Sequence, residues 1–262
     1  MIDIFLTENN IPYEVNVSLK KKTWIHRGGM ANFFITPMTI DQLTILCSFL
    51  YKNSMAFDLI GHTSNLYFLN DYNPNIVITT RLCNHVTEKN GILICDCGVS
   101  VSRLARKCVN SGICGFEYLT ELPGTVGAAV YNNSSCKTNS IASIVEYIDF
   151  LTDDGKVVSL TPEHLDFSFR SSSLKKNKLK GLILRVYLRA EQGDSSKLVS
   201  IAEKNRINRN KFFRGHSRNL GCTFDNPSLS WFYRVLLKLV WCFCKALGKD
   251  ENEIDYVKKY IL

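Results

Sequence analysis

The run Pro123-Gly124-Thr125-Val126-Gly127-Ala128-Ala129, inside the segment 119–133, limits the fold more than any other part of the chain. Pro123 fixes one backbone angle, while Gly124 and Gly127 can take positive φ and let another group approach the main chain with no Cβ in the way. Thr125, Ala128 and Ala129 keep that wall thin, so main-chain N–H groups would meet an anion or the edge of a polar ring. A tight turn entering a buried helix or strand of small residues accounts for the same letters. A lone GxxG does not separate these two readings.

A second small-residue loop lies upstream. Gly61-His62-Thr63-Ser64-Asn65-Leu66 directly follows the apolar run Phe57 to Ile60. Two cradles suit a long dinucleotide. The chain contains neither a GxGxxG fingerprint nor a GxxxxGK[ST] phosphate loop, which disfavours a Rossmann domain and a nucleotide triphosphatase.

The pattern along the chain is α+β. Residues 1–20 alternate weakly and read as a helix or strand. Met30 to Thr36 forms a short strand ended by Pro37, and Thr39 caps an amphipathic helix over Ile40–Leu50. Strands follow at Phe57–Ile60, Ile76–Thr80 and Gly91–Gly98, giving a βαββ unit and its continuation. Val99–Asn110 reads as a helix with Arg103, Arg106 and Lys107 on the wet side, and Cys95 and Cys97 share one face of the strand before it. Asp153-Asp154-Gly155 between two alternating runs signals a hairpin. Thr161-Pro162 starts a helical turn, Gly181–Leu188 is a strand, and Ser195 to about Arg214 is a basic helix.

The net charge of +8 suits an anionic small molecule as readily as a nucleic acid, and the dense basic runs at 175–180 and 204–218 read as solvated faces. No nucleic-acid partner is assigned. Ten cysteines without CxxC spacing, a regular framework or a leader segment lead to the expectation of reduced thiols in a cytoplasmic protein. The histidines at 26, 62, 85, 164 and 216 are scattered, so no metal is assigned. Residues 229–247 form an apolar run interrupted by Arg234, Lys238 and Lys245, charges that would be costly in lipid. This run reads as a buried or partner-facing helix rather than a membrane span, stopped by Gly248.

Taken with Thr23 to Ala31, Phe167-Ser168-Phe169-Arg170-Ser171-Ser172-Ser173 and Gly221-Cys222-Thr223-Phe224-Asp225-Asn226-Pro227, the two loops give five motifs whose order and spacing resemble the UDP-N-acetylenolpyruvoylglucosamine reductases. The resemblance runs from about Thr23 to Pro227. It implies a PCMH-type FAD-binding fold of two α+β subdomains, 1–85 and 86–190, with a short, divergent substrate region at 191–262. It also implies FAD as cofactor, NADPH as reductant and a nucleotide-sugar substrate. Gly61, His62, Thr63, Ser64, Asn65 and Leu66 would wrap the FAD pyrophosphate. Gly98, Pro123, Gly124, Thr125 and Gly127 would line the cofactor, with Asn133 near its isoalloxazine ring. Arg170 matches the arginine that faces the enolpyruvyl group, and its planar charge suits an oxyanion. Cys222 stands where the family has a proton-donating serine; a thiol, with an ordinary pKa near 8.5, gives up a proton at least as readily.

Three departures accompany the likeness. Phe169 replaces a tyrosine, Ala128 replaces the second glycine of PGTVGG, and after Pro227 no glutamate aligns with the family's catalytic one, Glu251 and Glu253 being candidates by position alone. They leave two alternatives beside the reductase: an FAD oxidoreductase of the same fold on another sugar-like substrate, or a non-catalytic flavin-binding homologue. In the wider flavoprotein group a Gly-His pair in the first loop can attach FAD covalently, which makes His62 a candidate for that bond.

Overall fold

Ile76, Val77, Ile78 and Thr79 are all buried, the continuous apolar run expected of a parallel strand covered on both faces. The computed structural model describes residues 1–136, 139–212 and 220, within one compact unit, Met1–Leu220. It begins with α1 (Ile2–Glu8), β1 (Tyr13–Ser18), β2 (Met30–Ile35), α2 (Ile40–Lys52), β3 (Asp58–Ile60) and β4 (Ile76–Thr79). The strands make a sheet of order β1-β2-β4-β3, in which β2 and β3 run parallel to β4 and β1 is antiparallel to β2. Ile76 and Ile78 face the main core with α2, whereas Val77 faces a smaller cluster with Leu19, Phe34, Ile60 and Phe68.

Helix α2 starts where the sequence says it should. The Thr39 hydroxyl accepts from Gln42 N at 3.1 Å, and the Gln42 side chain reaches back to accept from Met38 N, the residue before the cap, at 2.8 Å. Leu43, Leu46, Cys47 and Leu50 recur at helical spacing and are fully buried. Phe5 of α1 stacks on Phe49 at a centroid distance of 3.9 Å.

The chain continues through β5 (Val86–Lys89), β6 (Ile92–Asp96), α3 (Val101–Asn110), α4 (Val126–Tyr131), β7 (Ser135–Cys136), β8 (Asn139–Ser140), β9 (Val145–Thr152), β10 (Val157–Leu160), α5 (Pro162–Leu165), β11 (Gly181–Arg189) and α6 (Ser195–Phe212). The second sheet is antiparallel in the order β10-β9-β11-β6-β5, and β7 pairs with β8 in a separate two-stranded sheet. The hairpin at 153–155 forms, with Gly155 at φ 84°. Strand β5 was not anticipated from the pattern. Asn90 (φ 52°) and Gly91 (φ 73°) form the two-residue turn that joins it to β6. On α3 the buried face is Val101, Leu104, Ala105, Cys108 and Val109, while Arg103, Arg106 and Lys107 are exposed as expected.

The segments that follow β4 and β6, one from each sheet, touch at Gly98. Its N–H donates to Cys83 O at 2.9 Å, and a Cβ there would overlap the Thr80 carbonyl oxygen. Close approach of two backbones therefore accounts for this glycine. Among the described residues, no helix is long and apolar enough to cross a membrane. The expected apolar helix over 229–247 lies outside the described residues, as do Cys222, Glu251 and Glu253.

Candidate functional site

The loop 61–66 leaves the carboxyl end of β3 and starts the crossover to β4, the edge of a parallel sheet where ligands characteristically bind. Ile60 is tied back by Thr80 N at 2.9 Å. Thr63 then turns left-handed at φ 58° and is buried; its hydroxyl accepts from Trp24 N at 2.7 Å. The N–H groups of Gly61, His62, Thr63, Ser64 and Asn65 meet no acceptor among the described residues. Consecutive amides around a left-handed turn form a concave set of donors suited to an anion.

The second loop arrives beside the first. A Cβ built on Gly61 would lie 2.7 Å from Thr125 Oγ1 and 3.0 Å from its Cγ2, and one built on Gly124 would lie 3.5 Å from Ser64 Oγ. The two small-residue stretches thus meet, with residues 22–24 as a third wall. Gly124, at φ 121°, needs to be glycine for its backbone angle.

Gly127 corrects the expectation of positive φ. It lies in the first turn of α4, and a Cβ there would meet Cys97 Cβ at 2.9 Å and Cys97 O at 3.1 Å. Space for packing α4 against the turn after β6, not dihedral freedom, requires it. The expectation that the amides after Gly124 meet an anion also needs correcting. Val126 N donates to Val99 O at 2.8 Å, Gly127 N to Cys97 O at 2.9 Å, and Ala128 N to the Thr125 hydroxyl at 3.4 Å. Only Gly124 N and Thr125 N of this stretch lack an acceptor among the described residues. Most of the open donors belong to the 61–65 loop. Ala128 lies on the exposed side of α4 and Pro123 is exposed too.

At the far end of α4, about 9 Å along at 1.5 Å per residue, stands a second group of candidates. Asn133 is left-handed (φ 42°) and buried; its Nδ2 donates to Ser168 O at 2.9 Å, while its Oδ1 is buried without a partner among the described residues. Ser168 and Ser171 close a turn with reciprocal backbone bonds at 3.0 and 3.1 Å, which sets Arg170 at φ 55°. The Ser172 hydroxyl anchors this turn to Tyr131 O at 2.7 Å. Asn133, Ser135, Ser140, Phe167, Ser168 and Arg170 line a cavity of about 300 Å³. Phe169, 72% exposed, lines the same cavity.

Sequence reading missed Arg81. Its Nε donates to Gly61 O at 3.3 Å, and one terminal nitrogen donates to Lys22 O at 3.2 Å and His62 O at 3.3 Å. No carboxylate pairs with it among the described residues. Nothing local marks it, since the carbonyls it holds are about twenty and sixty residues away in sequence. Burial, and then the charges of Arg81 and Arg103, hold the His62 imidazole below its ordinary range. The loop is therefore electropositive and His62 is neutral at pH 7.

Residues 31–161 match the family model of an FAD binding domain. UDP-N-acetylenolpyruvoylglucosamine reductase from Bacillus subtilis is 30% identical over 213 residues, covering 81% of this chain and 70% of that protein. The protein of the same name from Caldicellulosiruptor saccharolyticus is 28% identical over 207 residues, covering 79% of this chain and 66% of its own length. The chain therefore spans roughly two thirds of the relatives it matches. Among solved structures, UDP-N-acetylenolpyruvylglucosamine reductase (MurB) from Thermus caldophilus superposes with a TM-score of 0.67 at 23% identity, over 83% of this chain and 75% of that one. BBE-like 1 from Physcomitrella patens shares the fold at a TM-score of 0.54 and 13% identity, over 73% of this chain and 44% of that one. The two-sheet α+β architecture is thus the PCMH-type FAD-binding fold, and with half its length in an FAD binding domain the chain belongs to the UDP-N-acetylenolpyruvoylglucosamine reductase family.

Proposed function

We propose that this chain is an FAD-dependent reductase that uses NADPH to reduce UDP-N-acetylglucosamine enolpyruvate to UDP-N-acetylmuramate, a cytoplasmic step in peptidoglycan precursor synthesis. The observation that carries the reading is the meeting of Gly61 with Thr125, which gathers the open amides of 61–65 and of 124–125 at one place.

The residues present fit the cofactor. Two adjacent phosphates need several converging N–H donors and little bulk in front of them, and the 61–65 loop supplies both. At the other end of α4, the partnerless Oδ1 of Asn133 is an acceptor that awaits a donor, and a flavin ring edge carries one. When bound, FAD supplies hydride transfer, accepting from NADPH and delivering to the enolpyruvyl double bond.

The chain's own contribution is placement and charge. Arg170, presented on a tight turn beside Asn133, holds the enolpyruvyl carboxylate and stabilises the oxyanion that develops as hydride arrives. Ser135 and Ser140 on the same cavity wall offer hydroxyls to the sugar. The proton for the adjacent carbon is assigned to the Cys222 thiol, a group far more acidic than the serine hydroxyl it replaces.

The test is a pair of anaerobic half-reactions. Purified protein should be yellow and should bleach with NADPH, and its colour should return on adding the enolpyruvyl UDP-sugar. Flavin that NADPH fails to reduce, or that only a different sugar reoxidises, would refute the assignment.

A further inference from the structure

We infer that Arg81 is the positioning residue of the diphosphate cradle: by drawing the carbonyls of Gly61 and His62 behind the loop, it turns the following amides outward and makes the site selective for a diphosphate-bearing flavin. This inference rests on the FAD reading above and names the residue that gives that site its direction.

The geometry follows from peptide planarity. In a trans peptide the C=O of one residue and the N–H of the next point in opposite directions. Arg81 Nε holds Gly61 O at 3.3 Å, so the His62 N–H points away from the guanidinium. A terminal nitrogen holds His62 O at 3.3 Å, so the Thr63 N–H points away as well. The same nitrogen reaches Lys22 O at 3.2 Å and thereby fixes the third wall. Two segments distant in sequence are thus oriented by one planar cation, whose fork geometry a lysine cannot reproduce.

Charge acts in the same direction as geometry. With no carboxylate partner among the described residues, the guanidinium charge stands uncompensated behind the loop, and its field reaches the His62 ring. Polarised from behind, the amides of His62 and Thr63 become stronger donors to an anion in front. A flavin with two phosphates gains from this more than one with a single phosphate. The Arg81 side chain is half-buried, so the freed carbonyls of an Arg81 variant can take water.

The experiment compares wild type, Arg81→Met and Arg81→Lys after removal of flavin, titrating each with FAD and with FMN and recording the melting temperature of the flavin-free protein. Arg81→Met should bind FAD about tenfold more weakly, a loss of about 1.4 kcal/mol, with FMN affinity changed less than about twofold and the flavin-free melting temperature retained. Arg81→Lys, which keeps the charge but not the fork, should fall between the two. Equal weakening of FAD and FMN would overturn the inference by showing that Arg81 supports the fold generally, and so would unchanged FAD binding. Should Arg81→Met not fold, the FAD-to-FMN ratio of Arg81→Lys decides by the same criterion. A wild-type protein that binds neither flavin refutes the FAD reading itself, an outcome distinct from selective failure of the variants.

Discussion

The contact between the two glycine loops can be broken and restored one side chain at a time. Gly61→Ala puts a methyl 2.7 Å from Thr125 Oγ1 and 3.0 Å from Thr125 Cγ2, where ordinary contact begins near 3.5 Å. Thr125 cannot simply step back. It is 2% exposed, its hydroxyl caps α4, and a β-branched side chain has few rotamers to choose from. Overpacking of this kind costs about 1–3 kcal/mol. Thr125→Ala alone loses the cap, about 1 kcal/mol. In the double variant both crowding atoms are gone, and the nearest remaining one, Thr125 Cβ, lies at an ordinary 3.4 Å. The double variant should therefore lose about 1 kcal/mol rather than the sum, leaving a coupling of about 1–3 kcal/mol in a double-mutant cycle. Urea unfolding of the flavin-free protein measures it, and each kcal/mol corresponds to roughly 2–4 °C in melting temperature for a unit of this size. FAD affinity should fall in Gly61→Ala and recover in part in the double variant. A cycle that closes to within about 0.5 kcal/mol would show that the loops do not touch, and the site with its proposed cofactor would lose its basis.

Arg170→Ala should keep bound flavin and its reduction by NADPH but lose reoxidation by the enolpyruvyl sugar in stopped flow; equal loss of flavin would make the arginine structural. Because burial and neighbouring arginines depress the His62 pKa, the unfolded chain takes up this proton first, near pH 6.5. The His62 contribution to stability is whole above that pH and is lost as the pH falls from there to the folded-state pKa. His62→Asn should thus flatten the dependence of the urea midpoint between pH 7 and 5, and an unchanged slope would refute the neutral assignment. Burial pushes the thiols of Cys83, Cys95 and Cys108 up to about 12 and raises Cys47 and Cys97 as well. Iodoacetamide at pH 8, mapped by mass spectrometry, should leave these five unmodified until denaturant is added; labelling at the rate of a free thiol would contradict their burial.

Periodic elements were legible because a local rule and the tertiary environment agree there. Helix α2 has a cap, a partner for the cap and an apolar stripe within thirteen residues, and α3 separates its arginines from its buried face just as its spacing indicates. Strand β5 escaped notice because, of Val86-Thr87-Glu88-Lys89, only Val86 packs against the core. The Asn90-Gly91 pair that announces its turn was nevertheless in plain view. Glycine shows a sharper limit. Gly124 and Gly127 look alike in the sequence, yet one answers a demand for positive φ and the other a demand for room beside Cys97. Only the partner across the gap tells them apart, and that partner comes from the turn after β6.

Arg81 carries the same reasoning to function. The letters Gly61 to Leu66 permit a donor-lined loop but do not orient it, because a short stretch with a free glycine has several ways to turn. Orientation comes from a cation twenty residues on, held by carbonyls of two separate segments. At the other end of α4, Asn133 takes a left-handed angle and buries an acceptor with no partner in the described chain, a feature that costs about 1–3 kcal/mol if nothing binds to it. Open donors at one end of a six-residue helix and an open acceptor at the other are each unfavourable for folding alone. A single elongated ligand with phosphates at one point and a hydrogen-bonding ring at another would satisfy both. The loop beside the start of one short helix and the residue just past its end thus each leave polar groups without a partner among the described residues, and a molecule of that chemistry is what would stabilise that arrangement.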